Sequence, residues 1–331
     1  MQTFIKEPYV IPIQVKAPFP LYTYNFYLVH HRTKLYLIDA GVRSRESWKL
    51  FIEIMKKNGW SIDDLDAVIL THSHSDHTGL VNWIREKRDI PVYAHEYAIK
   101  RLKRDENLLQ ERIEFFEQLY QQMGCGIEGT EQVEKLKKAL EENRSQKIIG
   151  SIQPIKEGEL MNGFSILEIP GHAPDQIALY HEKSGMMFSG DHVMEQTPVN
   201  PLVEMALDGK RIPALTYYES SLKKLQNYYI SRIFPGHGNI IQHPQAQIKE
   251  QLNRIEEKEN KIIEIISKNT YTAAQIAKMY YKEKYISVFP LIISEIIGQL
   301  DRLVSKRKVF AYQGENGIFY FSLRQNSIEH L

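Results

Sequence analysis

The nine residues from Thr71 to Gly79, THSHSDHTG, constrain this chain more than any other stretch, because three histidines and an aspartate fall within six positions. Imidazole nitrogen is a borderline-soft ligand and carboxylate oxygen a hard one, so the cluster suits a divalent transition metal. It follows directly on the apolar run Ala67-Val68-Ile69-Leu70, which predicts a strand that holds the cluster rigidly. The fold must therefore deliver a strand end to a metal.

The rest of the composition narrows the setting. At 331 residues the chain exceeds the usual single-domain size, so a catalytic domain with a smaller companion is expected. With 43% hydrophobic and 25% charged residues and a formal net charge of +1, nothing global draws it to nucleic acid or acidic partners. Cys125, the single cysteine, excludes an internal disulfide and lies too far from the cluster for a zinc-ribbon pattern. Met1–Pro8 lacks the basic start and apolar core of a signal peptide, and no run approaches the roughly 18 apolar residues of a membrane span. A cytoplasmic protein with no membrane partner is the expectation.

In chain order, residues 10–15, 25–29 and 34–39 alternate apolar and polar positions and read as successive antiparallel strands. Asp39-Ala40-Gly41 ends the third, where Asp39 is most simply a turn former and otherwise a partner that orients a ligating histidine. Trp48, Phe51, Ile52 and Met55 make a helical stripe stopped at Asn58-Gly59. Beyond the cluster come a helix from Leu80 and a strand at 90–94, the rhythm of a layered α/β domain. Residues 96–147 break that rhythm with charged, helix-favouring sequence and read as inserted helices, either a solvated excursion or a lid. Three later apolar runs each end in a glycine followed by a potential ligand: Gly171-His172, Gly190-Asp191 and Gly236-His237.

Residues just beyond strand ends converge on one edge of an α/β sheet, so His72, His74, Asp76, His77, His172, Asp191 and His237 are expected to share a site. In extended chain His72 and His74 point the same way, whereas adjacent Asp76 and His77 diverge. The first pair with His172 can serve one metal and the second pair with His237 another, with Asp191 bridging through its two oxygens. Nitrogen and oxygen donors without thiolate fit two divalent ions, zinc first and manganese or iron as alternatives.

The string His72-Ser73-His74-Ser75-Asp76-His77, followed by Gly171-His172, Gly190-Asp191 and Pro235-Gly236-His237-Gly238, resembles the metallo-β-lactamase superfamily over roughly residues 10–245. Leu37-Ile38-Asp39-Ala40-Gly41 is similar to that family's first motif, and Ser189-Gly190-Asp191-His192 to its glyoxalase-II-like hydrolase branch. The resemblance implies an α+β fold, an αββα sandwich over residues 1–245, with metal roles for the seven residues and a supporting role for Asp39. Where many glyoxalase-II-like members carry glycine-histidine near the end of the third motif, this chain has Gly171-His172-Ala173-Pro174-Asp175-Gln176, and Asp175 reads as a cap of the following segment.

The chemistry implied is that of a dinuclear metal-dependent hydrolase: bridging water, its pKa lowered from about 15.7 towards about 7, attacks an ester, thioester or lactone. Asp76 is the residue placed to orient or share the proton. Residues 246–331 read as a linker helix, an N-capped helix at Thr270–Ala277, a third helix at Leu291–Val304 and a hairpin, resembling a winged-helix domain. Its third helix offers two acids and one arginine, so packing or homodimer formation is expected ahead of nucleic-acid binding; Lys306-Arg307-Lys308 reads as a solvated run. The alternative is a phosphodiesterase or ribonuclease using that module, and a non-catalytic metal-binding scaffold is a third reading. A small-molecule substrate is expected, with Tyr24, Asn25, Arg211, Tyr217 and Tyr218 the weaker candidates for contacting it.

Overall fold

The computed structural model describes residues 7–323; the signal-peptide reading of the first residues therefore lies largely outside them. The chain divides into two compact units, one of Met1–Asp105, Gln146–Val199 and Ser221–Ile248, the other of Glu106–Ser145, Asn200–Ser220 and Lys249–Leu331.

The first unit holds two sheets. One runs in sequence order through β1 (Tyr9–Lys16), β2 (Thr23–His31), β3 (Lys34–Ile38), β4 (Ala67–Ile69), β5 (Val92–His95) and β6 (Gln153–Ile155). The other contains β7 (Leu160–Met161), β8 (Phe164–Glu168), β9 (Ile177–His181), β10 (Met186–Gly190) and β11 (Arg232–Pro235), in the order β11-β10-β9-β8-β7. The three alternating runs at the N-terminus are antiparallel neighbours, and β3 to β6 are parallel, as connections through helices require.

Strand periodicity explains the layering. On β2, Phe26 and Leu28 face a core shared with Phe51, Met55, Leu80, Val81 and Ile84 of the covering helices, while Tyr27 and Val29 face Phe164, Ile166, Leu179 and Phe188 of the second sheet. Leu37 and Val68 join the first core, Ile38 and Ile69 the second. The helix Arg45–Lys57 starts where Ser44 Oγ accepts from Ser47 N at 3.0 Å. Residues Leu222 and Leu225, at the end of the helix Ala214–Leu225, are fully buried, and Ser221 Oγ donates to Pro170 O at 2.8 Å. The strand β9 has no counterpart in the sequence reading. All five of its residues are buried, so no polar alternation marks it.

The second unit gathers the helices Glu106–Gln122, Gly126–Glu142, Ala273–Tyr281, Lys284–Ser287 and Phe289–Ser305 with most of Pro244–Ile266. A small sheet joins β12 (Tyr271–Thr272), β13 (Phe310–Gln313) and β14 (Phe319–Ser322) in the order β12-β14-β13. Within the stretch 270–277 that the sequence reads as an N-capped helix, Thr272 is the cap, in a reciprocal pair with Gln275. The 96–147 insertion is divided between the two units. Its residues 96–105 stay with the first unit, whereas Ile113, Phe116, Leu119, Tyr120 and Val133 bury against Ile262, Ile266, Ala273, Ile293 and Ile297. Each such side chain contributes about 1.5–3 kcal/mol of burial, so 106–145 is part of a second core and no solvated excursion. Among the described residues no helix is long and apolar enough to cross a membrane.

Candidate metal centre

The expectation of a single sheet edge is corrected by the fold: the seven residues come from both sheets of the first unit. His72, His74, Asp76 and His77 follow β4 of the six-stranded sheet, whereas His172 follows β8, Asp191 follows β10 and His237 follows β11. The edge shared by the two stacked sheets is where they meet.

Local geometry divides the cluster. After β4 the chain bends at Thr71 and His72, is extended again at His74 and then enters the short helical turn Ser75–Thr78. There successive residues rotate by about 100°, unlike the 180° alternation of a strand, so Asp76 and His77 reach the same partner, His237, and do not diverge. Three donor sets result: His72, His74 and His172; Asp76, His77 and His237; and His72, His77 and Asp191. Asp191 lies between the first two, with Oδ1 3.2 Å from His77 Nε2 and Oδ2 3.0 Å from His237 Nε2 and 3.6 Å from His172 Nε2.

The outward ring nitrogens are fixed by their surroundings. His77 Nδ1 donates to Asp39 Oδ2 at 2.8 Å and His237 Nδ1 to Thr23 O at 2.8 Å, leaving Nε2 of each turned inward. His72 Nδ1 lies 3.1 Å from Thr71 Oγ1, again freeing Nε2. His72 Nε2 and His172 Nε2 stand 3.0 and 3.1 Å from His74 Nδ1. Four-coordinate zinc with bonds of about 2.0–2.1 Å would place its nitrogens about 3.3 Å apart, so these donors need spread by only a few tenths of an ångström. Buried His77 Nε2 and Asp191 Oδ1 face each other at 3.2 Å and have no other hydrogen-bond partner, so both are available to an ion placed beside them. The residues present fit divalent metal.

Electrostatics match that donor set. Burial pushes the pKa of His72 well below the ordinary value, helped by the neighbouring His77 and His74, so it stays neutral and able to ligate. For His77 burial acts the same way but is outweighed by the carboxylates of Asp191 and Asp39, which hold its pKa well above the usual range. Asp191 shows the complement: burial opposes its charge, and His237 and His77 more than offset that, keeping it ionised far into acid. A divalent ion in this seat would take the place of the His77 proton beside the Asp191 carboxylate.

Other expectations resolve individually. Asp39 bends the chain with φ +59°, yet its carboxylate also accepts from Thr71 N at 2.8 Å and Thr71 Oγ1 at 2.9 Å besides His77, so it is a buttress and more than a turn former. Asp175 does not cap: both its oxygens are buried without a hydrogen bond. Tyr24 packs its ring edge-on against His237 at 5.7 Å, with its hydroxyl pKa raised by burial and by Asp76. Asn25 is 2% exposed and its amide bonds to backbone, which removes it from substrate contact. Arg211 pairs with Asp301 at 2.7 Å and Tyr218 is buried, both within the second unit. Sequence reasoning missed Gln176, whose Nε2 lies 3.0 Å from Ile177 O, 3.2 Å from Ser189 O and 3.4 Å from Thr71 O, tying the His72 and Asp191 segments together. No local signal marks an amide whose partners lie on other strands.

Close approach demands glycine at two ligand loops. Gly190 pairs with Pro235 across β10 and β11, after a register shift past Phe188, and Gly236 N donates to Gly190 O at 2.9 Å. A Cβ on Gly236 would stand 2.1 Å from Asp191 Oδ1, and one on Gly190 2.5 Å from Thr71 Oγ1 and from Gln176 Nε2.

Two stacked sheets in a mixed α+β unit, with a His/Asp cluster at their common edge, define a metal-dependent hydrolase. The chain belongs to the metallo-beta-lactamase superfamily, whose family model matches residues 20–237. It is 27% identical over 317 residues to a probable metallo-hydrolase, YqjP, of Bacillus subtilis, covering 96% of this chain and 98% of that one. A Beta-lactamase-like protein 2 homolog of Caenorhabditis elegans is 22% identical over 274 residues, 81% of this chain and 74% of its own. In fold the chain is similar to a metallo-beta-lactamase family protein, TTHA1429, of Thermus thermophilus, with TM-score 0.76 and 21% identity, over 95% of this chain and 98% of that one.

Proposed function

We propose that this hydrolase is dinuclear, with His72, His74 and His172 serving one divalent ion, Asp76, His77 and His237 a second, and Asp191 both. The observation that carries the reading is the position of Asp191, whose two oxygens lie within 3.6 Å of donors from both sets. Bound there, two divalent ions supply Lewis acidity, lowering the pKa of water and polarising an electrophile. The chain's own residues do the rest. Asp39 and Thr23 fix the tautomers of His77 and His237, and Asp191 neutralises charge between the sets. Asp76, with 23% of its side chain exposed, is the carboxylate open to solvent and the group we assign to accept and return the reaction's proton. That opening, beside half-buried His74, suits a catalytic site, since purely structural sites are closed.

The substrate we assign is a small ester, thioester or lactone, in the manner of the glyoxalase-II-like branch, and the metal zinc. The arrangement of β12, β13 and β14 with three helices supports a winged-helix reading of the C-terminal module. Several observations favour packing for that module over nucleic-acid binding. Its third helix, Phe289–Ser305, buries Ile292, Ile293, Ile296, Ile297, Leu300 and Leu303, and Val203 N donates to Ser294 Oγ at 3.0 Å. Lys306 and Lys308 turn towards the buried Glu259, at 3.5 and 3.6 Å, instead of out to phosphate. Purified protein should carry two equivalents of zinc and hydrolyse members of a thioester, ester and lactone panel. Activity confined to phosphodiesters, or full activity of metal-free protein, would overturn the proposal.

A further inference from the structure

We infer that Asn25 is a positioning residue that sets, selectively, the affinity of the Asp76/His77/His237 set for its metal ion. The inference rests on the two-ion reading given above. His237 sits on the loop Pro235-Gly236-His237-Gly238, which leaves the five-stranded sheet at the end of β11. That loop has no regular structure of its own to hold it. Pro235 O, Gly236 O, Gly238 O and Gly238 N are instead bonded to β1 and β2 of the opposite sheet, while Gly236 N donates to Gly190 O.

Asn25 spans the loop from both sides of the histidine. Its Nδ2 donates to Pro235 O at 3.0 Å and to Gly238 O at 2.9 Å, and its backbone N donates to Gly236 O at 2.8 Å. Both amide hydrogens are used, and the carbonyl end accepts from Gln14 Nε2 at 3.3 Å, which settles the amide's orientation. Around it Tyr27 Oη donates to Pro235 O at 2.6 Å, Gln14 Nε2 to Gly238 O at 3.2 Å, and Gly238 N to Thr23 Oγ1 at 3.0 Å. With 2% of its surface exposed, Asn25 serves the loop and not a substrate.

Asn25's own hydrogen bonds reach the His237 loop only; that loop meets the Asp191 segment through Gly236 N, which donates to Gly190 O at 2.9 Å. His72 is held through Thr71 and Asp39, and the segment before Asp191 through Gln176, neither of which involves Asn25. Loosening the loop therefore moves Nε2 of His237 while leaving His72, His74 and His172 where they are. Partners that orient a metal ligand from behind typically change metal affinity by about 10–100-fold. Asn25 acts one bond further out, through backbone, yet it fixes the loop at both ends.

The test is stepwise zinc binding to the full chain, by chelator competition and metal analysis, with hydrolysis measured against free zinc. Asn25→Leu, of similar volume and without donors, should bind the first zinc as the wild type does and the second at least about tenfold more weakly. Excess zinc should restore its kcat; because zinc binding also reverses general destabilisation, the discriminating readout is that the second affinity alone is weakened. Two zinc ions bound with wild-type affinity, or both weakened equally, would overturn the inference. If Asn25→Leu does not fold, Asn25→Ser, too short to span both carbonyls, is read by the same criteria. Fewer than two zinc ions on the saturated wild type would sink the two-ion reading itself, an outcome distinct from either.

Discussion

Gly236→Ala is the sharpest single perturbation of this site, because one methyl group lands on two donors at once. The added Cβ would stand 2.1 Å from Asp191 Oδ1 and 2.5 Å from His77 Cε1. Real Cβ atoms essentially never come within 3.0 Å of a neighbour, so the Asp191 oxygen must give way by nearly an ångström. Neither group is free to retreat: Asp191 Oδ2 lies 3.0 Å from His237 Nε2, and His77 Nδ1 is held by Asp39. Overpacking of this kind costs about 1–3 kcal/mol. For a unit of roughly 200 residues each kcal/mol lowers the melting temperature by about 2–4 °C, so a fall of about 2–12 °C is expected in metal-free protein. The larger effect is on chemistry, since a misplacement of about 1 Å can cost roughly a hundredfold in rate. Differential scanning calorimetry, zinc analysis and kcat/KM measured on the same preparation provide the test. A variant with unchanged melting temperature, two zinc ions and wild-type kcat/KM would refute the claim that Gly236 faces the metal donors.

Four further outcomes are expected. Asp39→Ala removes acceptors for Thr71 N, Thr71 Oγ1 and His77 Nδ1, and should weaken zinc binding by about 10–100-fold in chelator competition; an unchanged affinity would deny Asp39 its role. Cys125, buried and with its thiol pKa pushed up to about 12, should resist a thiol reagent at neutral pH in native protein and react once in denaturant. Arg302 joins Glu219 and the buried Glu259, so Arg302→Ala leaves Glu259 with only the longer contacts to Lys306 and Lys308 and should destabilise the second unit in urea unfolding by less than the about 3–5 kcal/mol of a fully unpaired buried charge; unchanged stability would refute this. Burial, against the pull of Arg211, raises the pKa of Asp301 to about 6. The native state then binds a proton that the unfolded state, with a carboxyl near about 4, has released. Stability should fall as pH rises from about 4 to about 6, and Asp301→Asn should flatten that slope.

Much of the site is written in local sequence. A strand before THSHSDHTG, and three apolar runs each ending in glycine and a ligand, place the histidines and aspartates at strand ends, because periodicity and turn chemistry act over a few residues. The same local rules give the antiparallel strands β1 to β3, the helix carrying Trp48, Phe51, Ile52 and Met55, the N-capped helix within 270–277 and the terminal hairpin. Cys125 is likewise excluded from any internal disulfide by count alone.

What tertiary structure decided is which distant segments touch. That the candidate ligands are shared between two sheets, that Asp76 and His77 turn to one partner, and that Asn25 and Gln176 bond to loops far along the chain depend on contacts between strands remote in sequence. The insertion shows the same division. Its apolar stripes announce helices, but their burial against Ile262, Ile293 and Ile297 depends on complementary faces much further along the chain. Hydrophobic burial is non-directional, so a stripe specifies that it will be covered and leaves its cover to the packing of the whole chain.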